Sequence, residues 1–337
     1  MKRSRIVYFL FLFSGITALI YEVVWTRMLT LAFGHTVFSV SIVLASFMAG
    51  LGFGSYFSGH AINHIGGKKT QSDSSSLSKE FSEDLETSSL LLIYGWIEVA
   101  LFLLCLIVSL ILFKFSVIYS WFSFFVPESI VVQNIFKSFL AFILMFIPAS
   151  LMGATLPIIS QYYITDNIRL DARLGLLYGI NTFGAALGCL LAGFFLIANF
   201  GVLQTVLAAT VLNLFVGISA IRIYQESVES SRGLRFPRFT IPKISWEGDQ
   251  WLWIVVSFVC GFTALSYEVL WTRLLIFSTS STVYSFSMML GVFLIGISLG
   301  SFLVVAVFRS SLNLRTVLIL LQAVIGLYVI GSLYNME

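Results

Sequence analysis

The sequence predicts an all-α fold: a polytopic bundle of transmembrane helices, about nine spans, arranged as two parallel-related halves of which the second is incomplete. Three observations lead there. First, the hydrophobic fraction is 58% and the charged fraction only 10%, where a soluble domain carries about 25% charged residues; the mean hydropathy is +0.98. Second, the apolar runs are continuous over about 20 residues, the length a helix needs to cross a bilayer. They lack the alternation of barrel strands, and in oil the backbone must bond to itself. Third, segment 15–55 returns at 261–301 with a constant offset of 246; 20 of the 41 aligned positions are identical. The stretch GITALIYEVVWTRML comes back as GFTALSYEVLWTRLL, with a Glu and an Arg at matched depths. Such a repeat defines two related halves built for lipid.

Taken in order, the apolar runs place spans at 6–32, 36–60, 89–113, 137–162, 173–198, 202–221, 251–275, 282–308 and 315–334. The opening Lys2, Arg3 and Arg5 followed by an apolar run has the form of a secretory leader. The same segment recurs internally at Gly261, where it is a permanent helix, so these three residues read as a cytoplasmic anchor. Residues 68–89 are rich in Ser and acids and read as a loop without order. Between 110 and 135, Phe and Tyr crowd around Lys114 and Pro127, which suits an interfacial helix. Residues 222–250 are basic and hold Pro237 and Pro242. They read as a linker whose Arg residues set topology and touch anionic lipid. The division is therefore 1–221, a first half of six spans; 222–250, the linker; and 251–337, about three spans of a second half.

The Lys and Arg distribution orients the chain. With the N-terminus inside, 15 of the 19 basic residues fall on the cytoplasmic side; only Arg27, Lys114, Lys137 and Arg273 fall outside. Six spans separate the two copies of the repeat, and an even number returns the chain to the same side. The halves are then parallel, related by an axis along the membrane normal.

Charged residues inside spans are the candidates for function. A charge at the centre of a lipid-facing helix costs about 2.5–3.5 kcal/mol on insertion scales, so Glu22, Arg27, Glu268 and Arg273 should face protein or water. Five residues apart is about 140° around a helix axis, which separates Glu22 from Arg27. A cross pairing of Glu22 with Arg273 and Glu268 with Arg27 would neutralise both, either as an outer gate or ligand contact or as a static lock on helix packing. Tyr21, Trp25, Tyr267 and Trp271 accompany them, as belt aromatics at the interface or as a cation–π box for an amine. Glu98 in the third span is either a proton carrier or cation contact or a side chain near the cytoplasmic end that reaches water. Its expected counterpart in the second half is Gln322.

Small residues recur every fourth position at Ser46, Gly50, Gly54 and Ser58, at Gly184 and Gly188, and at Gly296 and Gly300. This is the close-packing pattern of membrane helices. Asn181, Asn199 and Asn213 read as hydrogen-bond glue between helices, and Asn181 is also a candidate to line a cavity. Cys105, Cys189 and Cys260 have no neighbours at metal-ligand spacing and read as small packing residues. No metal site, cofactor site or catalytic residue is expected: there is no nucleophile–base pair, metal cluster or nucleotide loop. A net charge of +3 gives no reason to expect a nucleic-acid partner.

After the second span, Gly59 with Asn63, His64, Gly66, Gly67 and Lys68 resembles the loop motif of the major facilitator superfamily, with Asn in place of its Asp and Gly in place of an Arg. Two parallel halves of six spans are that superfamily's plan. YEVVWTR at 21–27 and its copy at 267–273, LMGATLP at 151–157 and LYGINTFGAALG at 177–188 resemble more closely the membrane domain of bacterial fused transporter/spermidine synthase proteins.

That resemblance implies a major-facilitator-like protein of the bacterial cytoplasmic (inner) membrane, N-terminus inside. It implies a role in binding or moving a polyamine or another small cation, with Glu22, Glu98 and Glu268 as acidic contacts. The family's aminopropyltransferase domain needs a Rossmann-like sheet of well over a hundred residues, and no soluble stretch here exceeds about 30. An enzyme activity is therefore not expected. With nine spans against the twelve of two full halves, the expectation is a truncated or split product. A separate chain would then carry the missing spans and a synthase domain. The alternative role is a non-transporting anchor or scaffold for that synthase. Beyond these, the expected partner is the lipid bilayer.

Overall fold

The computed structural model describes residues 2–34, 36–66, 76–122, 124, 129–163, 170–228, 250–307 and 314–334. Among them there is no strand. Ten α-helices follow in order: α1 Lys2–Phe33, α2 Thr36–Gly66, α3 Ser76–Phe113, α4 Phe115–Phe122, α5 Ile130–Tyr162, α6 Leu170–Leu191, α7 Ile197–Val228, α8 Gln250–Thr279, α9 Thr282–Val307 and α10 Leu314–Tyr334. A single π-helical turn, Ala192–Leu196, joins α6 to α7. Seven helical stretches are long and apolar enough to cross a membrane, and α10 contributes a shorter apolar segment. That is the make-up of an integral membrane protein.

The helices start and stop for local reasons. The first hairpin turns at Gly34, whose φ of +71° is the left-handed conformation that ends a helix. Its N–H bonds back to the carbonyl of Thr30 at 3.0 Å. In the second copy Ser280 stands at the same place with φ +54° and bonds to Ile276 at 2.9 Å. The turn has therefore been duplicated along with the sequence, although the glycine has not. Pro148 and Pro157 lie inside α5 without ending it, as membrane helices tolerate when neighbours satisfy the freed carbonyls.

One stretch, Arg173–Glu226, runs helical for 54 residues. Unbroken it would measure about 81 Å at 1.5 Å per residue, far more than a bilayer core. Gly201 breaks it with φ +80° and ψ 173°, a region only glycine occupies readily. The contacts show that the chain reverses there. Gly184 and Gly188 of α6 pack against the carbonyls of Leu12 and Ile16 in α1, so α6 runs parallel to α1. Gly95 of α3 lies against Gly217 and Ile221 of α7 while Gly217 lies against Val99, so α3 and α7 are antiparallel.

Helix α3 runs parallel to α1. Three hydrogen bonds join the two helices at one sequence separation, 84 residues: Tyr94 Oη to the Leu10 carbonyl at 3.4 Å, Ser14 Oγ to Glu98 Oε1 at 2.5 Å, and Trp25 Nε1 to Ser109 Oγ at 2.8 Å. Helices α2 and α5 pack tightly, with Gly50 against Ala149, Gly54 against the Ser150 carbonyl and Gly153 against Leu51. The repeat's second copy joins the bundle chiefly through α9, which runs antiparallel to α6: Gly179 meets Phe302, Ser298 donates to the Gly179 carbonyl at 2.9 Å, and Gly193 meets Ser287. The core gathers around Tyr21, Trp25, Phe47 and Met145, with a second cluster around Phe11, Tyr94, Ile159 and Leu177.

Several expectations need correction. Helix α3 begins at Ser76, so 76–88 are helical where an unordered loop was expected. Region 110–135 does hold a short helix, α4, and Lys137 Nζ sits 4.4 Å from the centre of its Tyr119 ring. Of the small-residue stripes, Gly50, Gly54, Gly184 and Gly188 meet neighbours, but Gly296 and Gly300 have nothing within 4 Å. Most of the basic linker, 229–249, and residues 67 and 68 of the loop motif lie outside the described residues.

Candidate functional site

The site is built on α1, whose two sides carry different chemistry. At about 100° per residue, Ser14, Tyr21 and Trp25 share the side that faces α3, and Glu22 points about 80° away from Ser14. The segment can hold polar groups at this depth because neighbouring helices cover them. Glu22 is 2% exposed and Glu268, its copy on α8, 0%.

The carboxyl groups of Glu22 and Glu268 lie within electrostatic reach of each other, and Cys189 of α6 lies within reach of both. Cys189 Sγ donates to the Ser287 carbonyl at 3.4 Å, which ties the cluster to α9. The two repeat-equivalent acids therefore lie in the same part of the bundle, where α6 packs on both α1 and α9.

Neither expected Glu–Arg pairing forms among the described residues. Oε1 of Glu22 and both carboxyl oxygens of Glu268 are buried without a hydrogen-bond partner. Arg273 is exposed on α8 and Arg27 half-buried on α1. The helical angle that separates Arg27 from Glu22 also carries each Arg away from the opposite acid. Thr272, one turn after Glu268, and Ser287 also have buried hydroxyls without partners. Among the described residues this region thus holds several unpartnered oxygen atoms and no cationic side chain paired with them.

The aromatic residues divide. Tyr21 and Trp25 are fully buried and stacked at 5.6 Å; Trp25 also packs on Phe47 at 5.5 Å and gives its indole N–H to Ser109. Neither is an interface belt residue, and Trp25 has its polar atom satisfied inside the core. Their copies Tyr267 and Trp271 are half-buried and make no ring contact among the described residues. No aromatic box forms from the four.

Glu98 occupies a separate place between α3 and α1. It is 0% exposed, so the reading of a side chain that reaches water at a helix end is set aside. Oε1 accepts from Ser14 and Oε2 has no partner. Gln322 does not occupy a like position: it is exposed and donates to Cys260 Sγ at 3.4 Å. Asn181 acts as glue, donating to the Phe11 carbonyl at 3.0 Å. Asn199 bonds within its own helix, and Asn213 is buried with neither amide atom partnered.

Three residues of these clusters escaped sequence reasoning. Ser14 and Ser109 look like ordinary small residues of membrane helices, and only their common separation from Glu98 and Trp25 marks them. Cys189 reads as a packing residue, and nothing in its own neighbourhood of sequence says that two acids lie within electrostatic reach of it. Among the described residues no group of His, Cys, Asp and Glu is arranged to hold a metal ion.

Comparison with protein-family models, with curated proteins and with solved structures finds no match to this chain.

Proposed function

We propose that the chain is a major-facilitator-like carrier with nine crossings in two parallel halves, 1–221 and 251–337, joined by the basic linker 222–250. It would bind or move a small organic cation such as a polyamine across the bacterial inner membrane, with its N-terminus in the cytoplasm. The reversal at Gly201 and the α6–α9 contact between the halves support this layout.

The observation that carries the reading is that two repeat-equivalent buried acids, Glu22 and Glu268, lie within electrostatic reach of each other. Two buried acids with unpartnered oxygens and no cationic side chain between them leave a site that a positive ligand completes. An ammonium brings three donors and its charge to acceptors that lack both. A diamine brings one such group to each acid. The equivalence of the two positions suits a ligand with like ends.

Uptake of labelled putrescine by proteoliposomes holding the purified chain tests it. Uptake that falls at least tenfold in the Glu22→Gln, Glu268→Gln double variant supports the assignment; unchanged uptake removes it.

A second reading is favoured by α8, where only 6% of the apolar window is buried and Arg273 stands exposed. That face suits a further polypeptide, as an anchor or scaffold for a synthase on another chain would offer. Absence of uptake together with stable co-purification of such a chain would select it.

A further inference from the structure

We propose that Glu98 is a second acid site, distinct from the Glu22–Glu268 pair, and that it takes up and releases a proton, with Ser14 as the donor that orients its carboxyl group. Its service as a coupling site rests on the carrier reading; proton binding itself does not.

The argument is a count of acceptors. Oε1 already accepts from Ser14 Oγ, which leaves Oε2 as the free carboxyl oxygen. An ammonium group needs about three acceptors, and a hard metal cation about six oxygens. Apart from the acid, the neighbourhood offers three hydroxyls: Ser14 Oγ is directed at Oε1, Tyr94 Oη stands beside the carboxyl group and is directed at the Leu10 carbonyl, and Tyr21 lies about 10 Å further along α1 than Ser14. A proton needs one oxygen, and one is free.

Among the described residues the surroundings supply no counter-charge. From α1 the titratable group near Glu98 is Tyr21; on α3 itself they are Tyr94 and Cys105. Helix α7 presents Gly217 and Ile221 to this part of α3, and its Arg222 and Glu226 are exposed. Lys137 of α5 sits over the Tyr119 ring. Arg27 lies 13 residues beyond Ser14, about 20 Å along α1. A bare carboxylate here would be both buried and unpaired, so release of its proton must accompany water entry or a shift of α1 against α3. Helix α1 carries Glu22 about 80° round from Ser14, so a shift of that kind reaches the pair as well.

Infrared spectroscopy of the full chain in liposomes tests the site directly. The expected result is a carboxylic C=O band that shifts in D2O, is lost in Glu98→Gln, survives in the Glu22→Gln, Glu268→Gln double variant, and moves in frequency in Ser14→Ala. Dicyclohexylcarbodiimide, which attacks protonated acids in apolar surroundings, should label Glu98 less as pH rises through the range in which the protein stays folded. A band untouched by Glu98→Gln, or no adduct on Glu98 at any such pH, overturns the assignment. Coupling is read separately: Glu98→Gln should abolish uptake driven by a pH gradient while leaving exchange of labelled putrescine at equal pH within twofold. Gradient-driven uptake that persists in Glu98→Gln overturns the coupling role. If the wild-type chain exchanges no putrescine but the infrared result holds, the carrier reading fails and the proton site stands.

Discussion

Gly34 and Ser280 hold the same left-handed backbone conformation at the same place in the two copies of the repeat, and each donates its N–H to the carbonyl four residues back. Only one of them is a glycine. An L-residue pays about 1–2 kcal/mol to adopt this conformation, so the second copy carries strain that the first does not. Ser280→Gly is expected to stabilise the protein by about 1 kcal/mol, and Gly34→Ser to destabilise it by a similar amount. Thermal unfolding of the two variants in detergent checks the pair; equal effects of the same sign would refute the duplicated turn.

The matched tryptophans should not be equivalent. Trp25→Phe removes the donor to Ser109 inside the core and should cost about 1–3 kcal/mol. Trp271→Phe, at a half-buried site without a recorded partner, should stay within about 0.5 kcal/mol. Denaturant titrations of both variants decide it.

Glycines that look alike in the sequence separate by contact. Gly54→Ala places a methyl group on the Ser150 carbonyl and must push α2 from α5, at an expected cost of about 1–3 kcal/mol. Gly300→Ala meets nothing within 4 Å and should be neutral or slightly stabilising, because alanine is the better helix former by about 1 kcal/mol. A measured cost at Gly300 would mean that another surface packs there.

Asn181→Ala deletes the hydrogen bond to the Phe11 carbonyl without adding bulk. Interhelical bonds of this kind in membranes are worth about 0.6 kcal/mol on average and up to about 1.7, so a loss in that range is expected. The same variant should leave putrescine uptake within twofold, since the side chain ties α6 to α1 and does not meet the acids.

How far the fold was legible depended on which property carried it. Apolar length alone identified the helices, and the repeat alone exposed the duplication, because both are properties of the chain in one dimension. The expected Glu–Arg pairing failed because charge complementarity says who should attract whom, while helix rotation decides who meets. Glu22 and Glu268 lie within electrostatic reach of each other, and Arg273 is exposed. Gly54 and Gly300 share a stripe pattern, but only Gly54 faces a partner helix. The polar residues before the apolar portion of α3 suggest disorder in one dimension, yet the helix continues through Ser89 and Ser88 back to Ser76. Glu98 was visible as an intramembrane acid; its Ser14 partner was not, since a serine in a membrane helix is unremarkable until the opposing helix is known.

The common separation of 84 residues between α1 and α3 sets a timetable for biogenesis. When α1 leaves the ribosome, Trp25 and Ser14 have no partners within the nascent chain; these become available only once Glu98 and then Ser109 have been made. Glu22 waits longer still, until Glu268 emerges. Helix α1 is thus made well before the partners that complete it, and it must be sheltered from lipid by the insertion machinery or by water until α3 has been translated.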